Sequence, residues 1–172
     1  MKKFKNRGKM LNELDLNIDE QKLKNILQTE EYKLYNAMIT AEGAIRLALE
    51  KCDMGIALTD VILIGYGRIG KILAKMLVGI NAHLTIVVND NLKLIHAKTL
   101  GYNAVLECDM SNANIIFCTA QNYIFPETTA TIIDLSTGAK QTIDASSLPE
   151  ITATRKEVEY IKKELLKDVH PK

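Results

Sequence analysis

The run Val61-Ile62-Leu63-Ile64 leads directly into Gly65-Tyr66-Gly67-Arg68-Ile69-Gly70, a G-x-G-x-x-G spacing, and an amphipathic segment follows without a break. Few local patterns constrain a chain so tightly. A short apolar run bounded by glycine reads as a buried strand. Ile69, Ile72, Leu73, Met76 and Leu77 then fall at i, i+3, i+4, i+7 and i+8, which is one face of a helix. Strand, glycine turn and helix in this order predict a parallel α/β unit. In such a unit the first glycine permits the tight turn and the second lets main chain approach a pyrophosphate with no Cβ between them. The third lets helix and strand pack closely. The phosphates of a dinucleotide then sit over free N–H groups at the positive end of the helix dipole.

The remaining chain continues the alternation. Strands are expected over 61–65, about 83–88, 102–106, 114–118 and 131–135. Helices are expected over 68–79, over 91–100 with Gly101 ending it, and over about 155–169 with Val158, Ile161 and Leu165 inward. Strands joined by crossover helices predict an α/β, Rossmann-like, doubly wound parallel sheet, here over residues 56–172. Residues 18–55 read as a helical extension. Within 11–30 a short helix places Leu23, Ile26 and Leu27 on one face, with Asn17 or Asp19 as cap. Residues 32–39 read as an extended connection, and Thr40 as the cap of a helix running to about Cys52 on Ala44, Ile45, Leu47 and Ala48. Residues 1–17, with Lys2, Lys3, Lys5, Arg7 and Lys9, read as a basic flexible tail. Only Phe4 interleaves with those charges, which argues against a nucleic-acid arm.

Charge excludes some partners. The 22 Lys and Arg nearly balance 21 Asp and Glu, so nothing marks the chain as a ligand for a polyanion. Cys52, Cys108 and Cys118 show no C-x-x-C spacing, and reduced thiols in the cytoplasm are the plain expectation. No apolar run is as long as a membrane span. His83, His96 and His170 do not cluster with acids or cysteines, so neither a metal site nor a catalytic residue is assigned.

Ligands of such sheets bind beyond the carboxyl ends of the strands. The candidate contacts are therefore Gly65, Tyr66, Gly67, Arg68, Ile69 and Gly70 at the turn, and Asn89 and Asp90 after the second strand. Cys118, Thr119 and Ala120 after the fourth strand and Ser136 after the fifth complete the set. Arg68 opposes the helix dipole unless an anion lies near, and a cofactor phosphate is the expected one. An acid that reads a ribose 2′-OH belongs near Val88, which cannot make that bond. Asn89 suits either nicotinamide cofactor. Asp90 either reaches the 2′-OH or caps the helix from Asn91, and capping is the reading taken. Cys118 and Thr119 either meet the cofactor or pack at the strand end. Cys118 has no neighbour that makes it a nucleophile. Asp134 needs a partner inside an apolar strand, and backbone N–H groups are favoured over a nicotinamide.

Tyr35-Asn36-Ala37-Met38-Ile39-Thr40-Ala41-Glu42-Gly43, followed by Ala44-Ile45-Arg46-Leu47-Ala48, precedes the glycine turn. Together they resemble the carboxyl-terminal, NADP-binding half of the A subunit of dipicolinate synthase, with its Y-N-x-x-x-T-x-E-G helix and G-x-G-R-x-G turn. Looser matches are Phe117-Cys118-Thr119-Ala120-Gln121 to I-N-T-I-P and Asp134-Leu135-Ser136-Thr137 to D-L-A-S. Leu148-Pro149-Glu150-Ile151-Thr152-Ala153-Thr154 matches L-P-G-I-x-A-P, with Glu150 for the glycine and Thr154 for the proline. The resemblance spans roughly residues 20–170. It implies NADP or NAD as cofactor with NADP favoured, and hydride transfer from a dihydrodipicolinate-like substrate. It also implies that Asn36 and Glu42 approach the substrate side, although a surface acid in the first turn of its helix is the favoured reading of Glu42. Family members carry a domain before this region, for which only the residues before Glu20 stand here. The expectation is an incomplete substrate site, completed by a second subunit or a homodimer. The rival is a cofactor-sensing or interaction module dimerising through residues 15–55. A weaker rival, the NAD domain of another dehydrogenase, calls for an acid at the end of the second strand.

Overall fold

A computed structural model of the chain describes residues 20–136, 143–144 and 154–166. The basic tail, the expected helical residues 11–19 and 167–169, Thr137, Gly138, the 148–153 segment and His170 lie outside the described residues.

The strands are β1 (Asp60–Ile64), β2 (His83–Val87), β3 (Asn103–Val105), β4 (Ile115–Cys118), β5 (Thr131–Asp134) and β6 (Ile143–Asp144). They form one parallel sheet in the order β3-β2-β1-β4-β5-β6. The chain thus has the expected Rossmann-like doubly wound fold, and strand order reverses between β1 and β4. β6 is one strand more than the sequence predicts. Two residues, held by Ile133 against Ile143 and Asp134 against Asp144, are too few to leave a periodic signal.

Alternation along the strands splits the core in two. Val61, Leu63, Ile86, Ile115, Phe117 and Ile133 face the crossover helices α3 (Arg68–Gly79) and α4 (Asn91–Thr99), meeting Leu73, Ala74, Leu77 and Ala97. Ile62, Ile64, Val87, Ile116 and Cys118 face the other way, onto Met110 and Ala113. Right-handed crossovers stepping from β1 to β2 to β3 place both helices on one face, and the return to β4 must cross the other. That face is covered by the connections 106–114 and 119–130. Each fully buried Leu or Ile of this core contributes about 2 kcal/mol.

The extension consists of α1 (Glu20–Gln28) and α2 (Glu30–Lys51). Residues 32–39, expected to be extended, are helical, and Thr40 is not a cap. Thr29 caps instead, its Oγ1 accepting from the Tyr32 N–H at 3.1 Å, with Glu30 and Glu31 favourably placed in the first turn. The Thr40 hydroxyl donates to the Asn36 carbonyl at 2.7 Å in mid-helix. Ala37, Ala41, Ala44 and Ala48 are spaced four, three and four apart and are buried, a small-residue stripe that lets α2 pack closely on α3 and β5. α2 so covers the half of the sheet that α3 and α4 leave bare. A last helix, α5 (Thr154–Leu166), buries Val158 and Ile161 against Leu23 and Tyr32, and the Tyr32 hydroxyl donates to Glu157.

Candidate functional site

β1 stops at Ile64 because Gly65 turns with φ +98°, a conformation that disfavours any side chain. The turn is held from both sides. The Gly65 N–H donates to the Val87 carbonyl at 2.9 Å, and the Thr119 N–H and hydroxyl donate to the Ile64 carbonyl at 2.8 and 3.1 Å. A Cβ on Gly65 would collide with the Thr119 hydroxyl, and one on Gly70 with the Gly65 carbonyl. Both glycines are therefore required by packing. Gly67 differs. Its backbone is ordinary (φ −83°, ψ −159°), and a Cβ there meets nothing within 4 Å. It is the N-cap of α3 and gives the first N–H groups of the helix no side-chain hydrogen bond.

Around this turn lies a cleft of about 790 Å³, in the size range of small-molecule sites. The ends of β1, β2 and β4 line it through Gly65, Tyr66, Gly67, Val88, Asn89, Thr119, Ala120 and Gln121. Six of the predicted contacts thus come together: Gly65, Tyr66, Gly67, Asn89, Thr119 and Ala120. Tyr66 turns its ring inward, edge-on to Tyr102 at 6.1 Å and near His96 at 5.8 Å, and burial raises its phenol pKa.

Other predicted contacts lie off the cleft. Arg68 reaches back to α2, where its guanidinium sits 3.0 Å from Glu30 Oε2. The anion that its helix position calls for is therefore a carboxylate of this chain. The Lys33 ammonium, with Arg68 behind it, holds Glu30 below its ordinary range. Ile69 and Gly70 belong to α3 beyond the opening. Asp90 caps α4, accepting from the Lys93 N–H at 2.8 Å, as read from the sequence. Cys118 is buried, and desolvation pushes its thiol up to about 11, an inert state. Asp134 accepts the Ser136 N–H at 2.8 Å, and both are buried. The structural role favoured for Asp134 is the one seen.

Lys93, Leu106, Glu107, Cys108 and Tyr123, none of them expected from the sequence pattern, also line the cleft. Leu106 to Cys108 directly follow β3, whose carboxyl end belongs to the same edge as the others. Burial raises the thiol of Cys108 and the phenol of Tyr123. At the opposite edge of the sheet His83 lies 3.4 Å from Asp60. On α2, Glu42 is exposed, and the Asn36 Oδ1 is buried without a hydrogen-bond partner. Among the described residues no cluster of His, Cys, Asp or Glu has the makings of a metal site, and no helix is long and apolar enough to cross a membrane.

No protein-family model matches the sequence, and no curated protein is similar to it in sequence. Solved structures are similar in fold. The A subunit of dipicolinate synthase from Bacillus halodurans superposes with a TM-score of 0.67 at 20% identity, over 85% of this chain and 58% of that one. The corresponding chain of dipicolinate synthase from Bacillus subtilis does so with a TM-score of 0.67 at 20% identity, over 88% and 62%. A transhydrogenase from Sinorhizobium meliloti follows with a TM-score of 0.58 at 12% identity, over 81% and 56%. This chain therefore spans about three fifths of the length of those enzymes, and what it shares with them is the Rossmann-like fold.

Proposed function

We propose that the cleft binds a nicotinamide dinucleotide, with its pyrophosphate over Gly67 and the first turn of α3. The observation that carries this reading is the open space at Gly67. Nothing in the fold asks for glycine there, yet a side chain would stand where phosphate oxygens meet the helix N–H groups. Thr119 and Ala120 stand beside the turn, and Asn89 lies at the end that takes the adenosine ribose.

By resemblance to the A subunit of dipicolinate synthase, the reaction is oxidation of a dihydrodipicolinate-like ring, with NADP favoured over NAD. The turn at Gly65, Tyr66 and Gly67 would hold the dinucleotide, whose nicotinamide would take up a hydride from a ring carbon as a proton passes to solvent. The chain itself supplies cofactor binding and orientation. Titrating the purified protein with NADPH and NADH, followed by nicotinamide fluorescence, is expected to give saturable binding of at least one. Absence of binding by either up to millimolar concentration would sink this reading.

One observation favours the rival, a non-catalytic interaction module. Leu34, Tyr35 and Met38 on α2, Ile72 and Met76 on α3, and Tyr160 on α5 form an apolar groove of about 790 Å³. Leu34 is half exposed within it. In that reading a second copy covers the groove. Sedimentation should then show a dimer that Leu34→Asp converts to monomer without loss of cofactor binding. A wild-type monomer at all concentrations rejects it.

A further inference from the structure

Beyond Val87 the chain builds a small polar device at the edge of the cleft. Asp90 has both carboxylate oxygens engaged: Oδ1 accepts the Lys93 N–H at 2.8 Å, and Oδ2 lies 2.7 Å from the Lys93 ammonium. The same ammonium donates to Asn89 Oδ1 at 2.9 Å. Asn89 and Lys93 line the cleft, whereas Asp90 does not. A carboxylate that reads a ribose 2′-OH must face the ligand, and Asp90 lies outside the cleft lining with both oxygens turned to Lys93. Lys93 is the only cation among the described residues lining the cleft, and an ammonium with two partners keeps a third donor in hand.

From this geometry we infer that Lys93 selects the cofactor. Its ammonium receives the phosphate monoester on the adenosine ribose, so that NADP(H) binds in preference to NAD(H), and Asp90 sets the strength of that preference. The inference rests on the dinucleotide reading of the cleft and deepens it. Asp90 acts in two opposed ways. It holds Lys93 at the cleft edge, but it also competes with the phosphate for the ammonium and repels the phosphate itself. The preference should therefore be modest in the wild type. It should grow as pH rises through about 6, where a phosphate monoester takes its second negative charge.

The test measures dissociation constants for NADPH and NADH on the full chain and three variants. Lys93→Gln leaves the cap of α4 intact, because the capping donor is a backbone N–H. It is expected to weaken NADPH about tenfold and NADH less than twofold, while Lys93→Arg restores the preference. Asp90→Asn keeps a good N-cap while removing the competing charge, so NADPH should bind about threefold tighter. That gain should vanish when Asp90→Asn is combined with Lys93→Gln. Equal weakening of both cofactors by Lys93→Gln, or no weakening of either, overturns the assignment. Equal binding of NADPH and NADH by the wild type overturns the selector and leaves the dinucleotide site standing. Binding of neither removes the site and the selector together.

Discussion

Gly67→Asp is expected to abolish dinucleotide binding while raising the melting temperature slightly. The two effects have opposite signs because they have different causes. In the free protein the new side chain enters open space, with nothing within 4 Å of its Cβ and no left-handed backbone to strain. Position 67 is the N-cap of α3, where glycine gives no side-chain hydrogen bond. An aspartate there can accept from the open N–H groups and sits favourably against the dipole, which adds about 0.5 kcal/mol. In a domain of this size that is about 2 °C. A pyrophosphate must then displace that carboxylate and approach its charge, which should cost at least ~100-fold in affinity. Calorimetric melting and NADPH titration of the same sample check both halves. Retained binding would mean that phosphate does not approach Gly67. A fall in melting temperature of several degrees would mean that the fold requires the glycine after all.

How far the sequence carries such an argument depends on the range of the interaction. β1, the turn and α3 are legible because each rests on local pattern: an apolar run, glycines at fixed offsets, a helical stripe. The first half of α2 is not. Thr40 resembles a cap, and the true signal, Thr29 followed by Glu30 and Glu31, is overlooked beside it. The stripe of Ala37, Ala41, Ala44 and Ala48 carries little hydrophobic weight until α3 and β5 are placed against it. Arg68 shows the same boundary. Its need for an anion follows from its place in the helix, but Glu30 as the anion depends on how α2 lies across the turn. Leu106, Glu107 and Cys108 follow a strand of only three residues, too weak a pattern to mark its end as part of the cleft. Lys93 reaches back from α4 to Asn89 and Asp90, and that contact gives it a place in the site that no motif predicts.

Gly70→Ala is expected to destabilise the fold by about 3 kcal/mol, although helix propensity alone predicts a gain of about 1 kcal/mol. The sign reverses because the new methyl group points at main chain. It would overlap the Gly65 carbonyl oxygen and lie 3.1 Å from the carbonyl carbon and 3.3 Å from the Thr119 hydroxyl. The carbonyl cannot withdraw easily, since Gly65 is pinned by its bond to Val87 and the preceding residue by two bonds to Thr119. Helix and strand must therefore separate, and the Leu73 and Leu77 packing beneath them loosens. Gly79→Ala serves as the control within the same helix: it is exposed, has nothing within 4 Å of its Cβ, and should gain about 0.5 kcal/mol. Urea unfolding of both variants checks the pair, and a Gly70→Ala protein as stable as the wild type would show that the approach of α3 to β1 is slack. The glycines of one motif then divide by cause. Gly65 and Gly70 are held by the fold whether or not anything binds, so their presence says little about activity. Gly67 is free of that demand, so a side chain placed there acts on the ligand and not on the fold.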